Sequence, residues 1–309
     1  MVNYVNQRNF ALLGKAEATP GVAVTLAAAS DAIRTAGRPV FTPNYIEIKN
    51  ETIHQQFGEN ASKFIDGAMT LEVPFYIQKG GALGVIPDWA VLVEVGNHNV
   101  VSTANTRVKI DPVSGVGSAR KTGTFAWYED GQRFDFVGAV ASAFKIDAAT
   151  DSYLKGSVTL MAPNKDGVIA PLPAGLAYQA EAPVVVTPLD VITENGTAIV
   201  VSNFTFDSSI TAEQRRNIGD ASVHVTDRPA PMITFAKNSA GTLDDYNHLK
   251  AATNLAVKGV FGSAGNRITL DMPTGQLVSL KPTVNGNFIG RECGIAGRGK
   301  DSAYSITLD

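Results

Sequence analysis

Residues 63–78 read KFIDGAMTLEVPFYIQ, from Lys63 to Gln78. The odd positions Ile65, Gly67, Met69, Leu71, Val73, Phe75 and Ile77 are apolar or small, whereas the even positions include Asp66, Thr70, Glu72 and Tyr76. An apolar residue at every second position puts one face of an antiparallel strand in a core and the other in water. Sustained over the whole stretch, the pattern predicts one strand across 63–78, well beyond the usual length of about five or six residues. Repeated strands of this kind build a wall.

Working outward, the same alternation recurs. The segment TFAWYEDGQRFDF carries a hairpin signal, Asp130-Gly131. After it, Phe134, Phe136, Val140, Phe144 and Ile146 alternate with Asp135, Ala139, Ala141, Lys145 and Asp147. In YLKGSVTLMA, Leu154, Val158 and Leu160 are expected to point inward. A further strand is expected at 44–53. The Ala-rich piece 24–33 reads either as a short helix or as an arm lying on a neighbour, and a short helix is expected at 87–95, where Pro87 and Asp88 suit a first turn and Gly96 a stop. The polar, glycine-rich excursion 97–123 reads as a long loop or flexible hairpin carrying a brief strand near Arg107–Ile110.

Five prolines, Pro163, Pro171, Pro173, Pro183 and Pro188, mark a linker, and a second half then echoes the first. NFTFDSSITAEQ (203–214) follows the order of NYIEIKNETIHQ (44–55), and ASVHVTDRPAPMITFAK (221–237) that of the 63–79 stretch. A helical run at 243–259 stands where the first half has PDWAVLVEVG. GQLVSLKPTVNGNFIG alternates in the manner of FDFVGAVASAFKID, and SAYSITL matches KGSVTLM. The expected organisation is an arm over 1–40, a first β domain over 41–162, a linker over 163–188 and a second β domain over 189–309. The fold class is all-β with minor helices, two tandem β domains each carrying a short flanking helix.

Composition narrows the function classes. The 309 residues are 44 % hydrophobic and 18 % charged, the range of an ordered core. A net charge of -3 provides no basic footprint for gripping nucleic acid. The single cysteine, Cys293, excludes an intrachain disulfide and a multi-cysteine zinc site, and is expected to be buried or at an interface. The start, MVNYVNQRNFALLGKAEATPG, is not expected to act as a signal peptide, and no apolar run approaches eighteen residues, so no membrane partner is expected.

No chemistry is expected either. GIAGRGKD (294–301) has the glycine and lysine spacing of a phosphate loop, but Asp301 stands where a Ser or Thr would hold the metal, and strand-like SAYSITLD follows. The four histidines, His54, His98, His224 and His248, lack metal-site spacing and read as exposed surface residues. Asp66 and Glu72 share a strand face but lie some 20 Å apart, too far to work as an acid/base pair. No catalytic, cofactor or metal site is expected, and the chain does not read as an enzyme.

At the arm the sequence resembles a known family. Lys15-x-Glu17-x-Thr19-x-Gly21, within Gly14–Gly21, is followed by an Ala-rich piece to Asp31-Ala32-Ile33. This looks like the opening of siphophage major tail tube proteins, and GGALGVIPDWAVLVEVGN (80–97) resembles that family's glycine loop and Pro-x-Trp helix. The resemblance covers mainly the first hundred residues, with Pro20 standing where an aromatic is common. It implies tube-type β-sandwich domains whose sheets join into a β-barrel around a lumen, stacked rings, and passage of phage DNA at ejection. The implied setting is the virion tail, assembled in the host bacterial cytoplasm. The implied partners are further copies of the chain, as a trimeric pseudo-sixfold ring or a hexamer. A tape-measure protein and DNA would occupy the lumen, with tail terminator and baseplate proteins at the ends.

Parity nominates Asp66, Thr70, Glu72, Lys145 and Asp147 in the first half, and Thr226, Lys281 and Asn285 in the second, as lumen-facing residues. Two other readings compete. One is a baseplate hub or tube terminator forming a single ring; the other, from a different class, is a carbohydrate-binding or adhesin β-sandwich. Against the latter, Trp89 is assigned to a helix and Trp127 to a hairpin, leaving no exposed aromatic platform.

Overall fold

The computed structural model describes residues 9–50, 61–114, 120–218, 220–237, 243–285 and 288–309. It is an all-β fold with two short helices. The first half opens with β1 (Phe10–Ala16), β2 (Val40–Thr42), the hairpin of β3 (Tyr45–Ile48) and β4 (Lys63–Asp66), and β5 (Ala68–Tyr76). Next come α1 (Ala90–Glu94), the hairpin of β6 (His98–Thr103) and β7 (Arg107–Pro112), and the hairpin of β8 (Gly123–Glu129) and β9 (Gln132–Ala149). β10 (Ser152–Tyr153) and β11 (Lys155–Pro163) follow. The proline-rich segment holds β12 (Val168–Ile169), on β9, and β13 (Val185–Val186), on β10.

The second half contains β14 (Val191–Glu194), β15 (Thr197–Ile199), β16 (Val201–Asp207), the hairpin of β17 (Thr211–Asn217) and β18 (Asp220–Asp227), and β19 (Met232–Lys237). It ends with α2 (Leu243–Ala251), β20 (Asn254–Ser263), β21 (Asn266–Asn285), β22 (Phe288–Gly297) and β23 (Ser305–Leu308).

The stretch expected to be one strand is two. The chain turns a corner at Gly67, whose N–H donates to Asn44 O at 2.9 Å and whose carbonyl accepts the Asn164 N–H at 2.9 Å. A Cβ at this position would lie 2.8 Å from Asn44 O, so only glycine permits the approach. Beyond the corner the alternation holds: Met69, Leu71, Val73, Phe75 and Ile77 are fully buried.

The expected turn at Asp130-Gly131 is present, with φ of 42° and 84°, the positive pair a two-residue hairpin turn requires. The following strand does not keep one face throughout, because Ala139 and Ala141, assigned by parity to the water side, are buried. β9 bends at Gly138, pairing with β8 before it and with β11 and β16 after it, so it passes from one sheet region to another and is covered on both sides there.

Two other expectations are corrected and one, the hairpin within 97–123, is extended. Residues 24–33 form turns rather than a helix: Asp31 Oδ2 accepts the Ala27 N–H, while Gly14 N–H and Ile33 N–H bond across to Asp31 O and Leu12 O, tying the segment to β1. The excursion 97–123 is largely the β6–β7 hairpin, whose Val108 and Ile110 are core residues; 115–119 lie outside the described residues. The helical run at 243–259 stops at Ala251, because Ala252 takes a left-handed φ of 50° and the chain continues as β20.

One apolar core joins both halves, from Trp89, Phe125 and Phe144 to Phe206, Phe235 and Tyr304. The proline-rich segment is strapped to it: Val184 is buried, donates its N–H to Ile77 O at 3.0 Å and accepts that of Leu154 at 2.8 Å.

Candidate functional site

The pairing order β2–β5–β11–β9 recurs as β16–β19–β22–β21, and the two runs join where β9 pairs antiparallel with β16. By this order β22, not the closing strand β23, takes the place of β11, and β16 that of β2, so that 203–207 answers to the strand before 44–55 and not to its start; β23 instead pairs with β21 and with β7 of the first half. The result is a continuous wall of eight strands, β2–β5–β11–β9–β16–β19–β22–β21.

Rows of side chains cross the wall without a break at the join. Phe75, Gly156, Ile146, Phe206, Ile233, Ile295 and Leu277 stand opposite one another in sequence on the core side. One residue along, or two on β21 where Val278 bulges, Tyr76, Lys155, Asp147, Thr205, Thr234, Gly294 and Ser279 form a row on the other side. The strand period of two keeps the faces separate, so register alone makes one side apolar and the other polar.

That polar face is the candidate site. Thr70 and Glu72 lie on it from β5, Lys145 and Asp147 from β9, and Lys281 from β21, opposite Glu292. Asn285 ends β21, but its side chain lies outside the described residues. Asp66 and Thr226 are placed elsewhere. Asp66 belongs to the β3–β4 hairpin and accepts a hydrogen bond from Asn164 Nδ2 at 3.1 Å; Thr226 belongs to the β17–β18 hairpin. The corner at Gly67 removes Asp66 from the wall.

Sequence reading missed Lys155, Asp207 and Glu292 on the same face. Lys155 was accessible by parity from Leu154, Val158 and Leu160, and Asp207 from Phe204 and Phe206. Together these charged groups are Glu72, Asp147, Asp207 and Glu292 against Lys145, Lys155 and Lys281, a near-balanced mixture among Thr, Ser, Ala and Gly. Lys145 Nζ lies 3.4 Å from Asp207 Oδ2, linking β9 to β16 across the join, with both side chains about half exposed.

Beneath the join is a buried polar contact that the sequence did not disclose. His98, expected at the surface, is fully buried. Its Nδ1–H donates to Val93 O at 2.8 Å, leaving Nε2 to accept the Tyr304 hydroxyl. Arg228 donates from Nη2 to Gly96 O and Asn97 O, each at 2.9 Å. Burial, reinforced by the Arg228 charge, lowers the His98 pKa to about 3, so the imidazole is neutral at pH 7. Burial likewise pushes the Tyr304 hydroxyl well above its ordinary range. First-half and second-half side chains therefore share one dry hydrogen-bonded contact. His54 lies outside the described residues; His224 contacts Ser222 on its own hairpin and Arg120 from the segment before β8.

Cys293 is buried on the core side of β22, and burial raises its thiol to about 11. Trp89 and Trp127 are both fully buried, the Trp89 Nε1–H donating to Gln78 O at 2.9 Å. Among the described residues no group of three His, Cys, Asp or Glu could hold a metal ion, and no helix is long and apolar enough to cross a membrane. No protein-family model matches the chain, and no curated protein gives a significant match.

Proposed function

We propose that this chain is a structural subunit whose copies join edge to edge into a hollow ring, and that the rings stack into a phage tail tube through which DNA passes at ejection. The β9–β16 ladder is the observation that carries the reading. Within one chain it pairs the outer edge of the first run with the first strand of the second, and both side-chain rows continue through it. The same two kinds of edge are left open at the ends of the wall. Among the described strands β2 pairs only with β5, and residues 277–285 of β21 pair only with β22. A sheet with two open, matching edges and one polar face is removed from edge pairing with strangers by closing on copies of itself. Lys281 and Pro282 on the β21 edge favour a matched partner over indiscriminate pairing.

If both runs contribute to the wall, three copies close the ring; if only the first does, six are needed. The in-chain join favours three. Three copies supply about 24 strands, and at about 4.8 Å per strand the circumference is about 115 Å, giving a backbone diameter of about 37 Å, larger once the strands tilt. That leaves room for a DNA duplex inside the side chains. The polar face would line the lumen with charges of both signs and small hydroxyl residues, which do not neutralise a run of phosphates, so DNA slides rather than binds. On this reading Thr70, Glu72, Lys145, Asp147 and Lys281 face the channel together with Lys155, Asp207 and Glu292, and the chain works without catalysis. The tape-measure protein and DNA are the lumen contents, and terminator and baseplate proteins close the ends.

Negative-stain electron microscopy of concentrated protein tests this. Hollow tubes with three chains around the axis are the expected result. Single rings that never stack would move the assignment to a hub or terminator, and protein that remains monomeric would overturn it.

A further inference from the structure

The chain carries two hairpins of one plan, and only one is covered. β17–β18 leaves the wall after β16 and pairs Thr211 with Asp227, Ala212 with Val225, Glu213 with His224 and Gln214 with Val223. β3–β4 leaves it after β2 and pairs Tyr45 with Asp66, Ile46 with Ile65, Glu47 with Phe64 and Ile48 with Lys63. Matched row for row, the face of Ala212, Gln214, Val223 and Val225 corresponds to that of Ile46, Ile48, Lys63 and Ile65.

In the second half this face lies against β9 and β11. Val223 is buried there, and Gln214 Nε2 donates to Gly67 O at 3.1 Å, at the corner before β5. In the first half, the corresponding Ile46 is 39 % and Ile48 50 % exposed. Position along the wall explains the difference. β16 has β9 on its outer edge, so its hairpin overlies β9 and β11; among the described residues β2 has no outer partner, so its hairpin extends past the end of the sheet.

We propose that Ile46, Ile48 and Ile65 dock on β21 and β22 of a second copy of this chain, the strands that correspond to β9 and β11. The proposal rests on the edge-to-edge reading above. An apolar stripe richer than its in-chain counterpart, Ile in place of Ala and Val, suits a contact that has to form between separate molecules. The receiving surface offers Val278, which falls in the bulge between Leu277 and Ser279 and is 42 % exposed. By the same correspondence Ile48 takes the place of Gln214, and Pro231, whose carbonyl accepts the Gly297 N–H as that of Gly67 accepts the Asn164 N–H, takes the place of Gly67; the exposed Pro229 lies two residues before it.

Two experiments on the full chain test it. The double variant Ile46→Glu/Ile48→Glu, altered only at exposed positions, is expected to keep its circular dichroism and melting temperature while its critical concentration for assembly rises about tenfold or more. Assembly at the wild-type concentration would overturn the proposal. In the second, Ile48→Cys is combined with Pro229→Cys and assembled protein is treated with a short bis-maleimide. Covalent dimers and trimers are expected, absent from each single variant, with the buried Cys293 silent. Rings that form without cross-links would overturn this contact alone, whereas a wild-type chain that forms no rings would overturn the assembly reading and this contact with it.

Discussion

The β9–β16 join and the β2 edge are the same kind of place, one closed and one open. At the join, Phe206 is 1 % exposed, with its ring 5.9 Å from Phe144 and 4.7 Å from Tyr304. At the edge, core-side Phe41, opposite Leu71, is only half-buried, Val40 on the polar face is 58 % exposed, and β2 is only three residues long. The backbone chemistry available to each is identical, so what separates them is whether the partner strand is in the same chain. A covalently linked partner has already met most of the entropy cost of meeting; a separate one has to offset it with buried area.

The contrast can be tested first where the effect is largest. Phe206→Ala removes a fully buried ring from the join and is expected to cost about 3–5 kcal/mol in urea unfolding. Val40→Lys at the open edge should leave the same unfolding curve within about 0.5 kcal/mol, because exposed substitutions rarely matter to a monomer, yet abolish ring formation by placing a charge on the pairing edge. If both variants changed monomer stability alike, the edge would already be satisfied within the chain.

An intermediate effect comes from His98. Its folded pKa is about 3 against an ordinary value of 6.5, so the unfolded chain binds the extra proton first. The stabilisation is complete above pH 6.5 and declines as pH falls toward 3, with a loss of about 2 kcal/mol by pH 5. Denaturation midpoints measured from pH 8 to 4 should show this slope, and His98→Asn should flatten it while lowering stability at neutral pH. An unchanged slope in the variant would mean that other groups cause it.

The smallest effect belongs to Lys145 and Asp207. Their ion pair spans the join at 3.4 Å but is open to solvent. A double-mutant cycle with Lys145→Ala and Asp207→Ala should give a coupling of about 0–1 kcal/mol, decreasing with added salt. A larger value would show that the ion pair, rather than the aromatic row below it, holds the join.

What the sequence made legible follows from locality. Alternation in 69–77 and 155–161, the Asp130-Gly131 turn and the helix around Trp89 depend on neighbours within a few residues, and each was readable. In the β6–β7 hairpin β7 was legible, because Val108 and Ile110 betray a core face, whereas β6 was not, because it carries mixed polar residues. Since that hairpin pairs with β23 and contributes to the core, deletion of 97–123 would unfold the protein.

An all-β chain with two faces per strand follows from the residues alone, because side-chain direction alternates whatever the partner. Which faces share one wall is set by contacts between distant parts of the chain. Gly67 turns Asp66 out of it because Asn44, 23 positions earlier, comes too close for a side chain. His98 is buried because Tyr304, 206 positions later, supplies its hydrogen bond. The register of β9 on β16 aligns the rows of both halves. Each of these depends on residues far apart in the chain meeting in space, and no local period encodes that meeting.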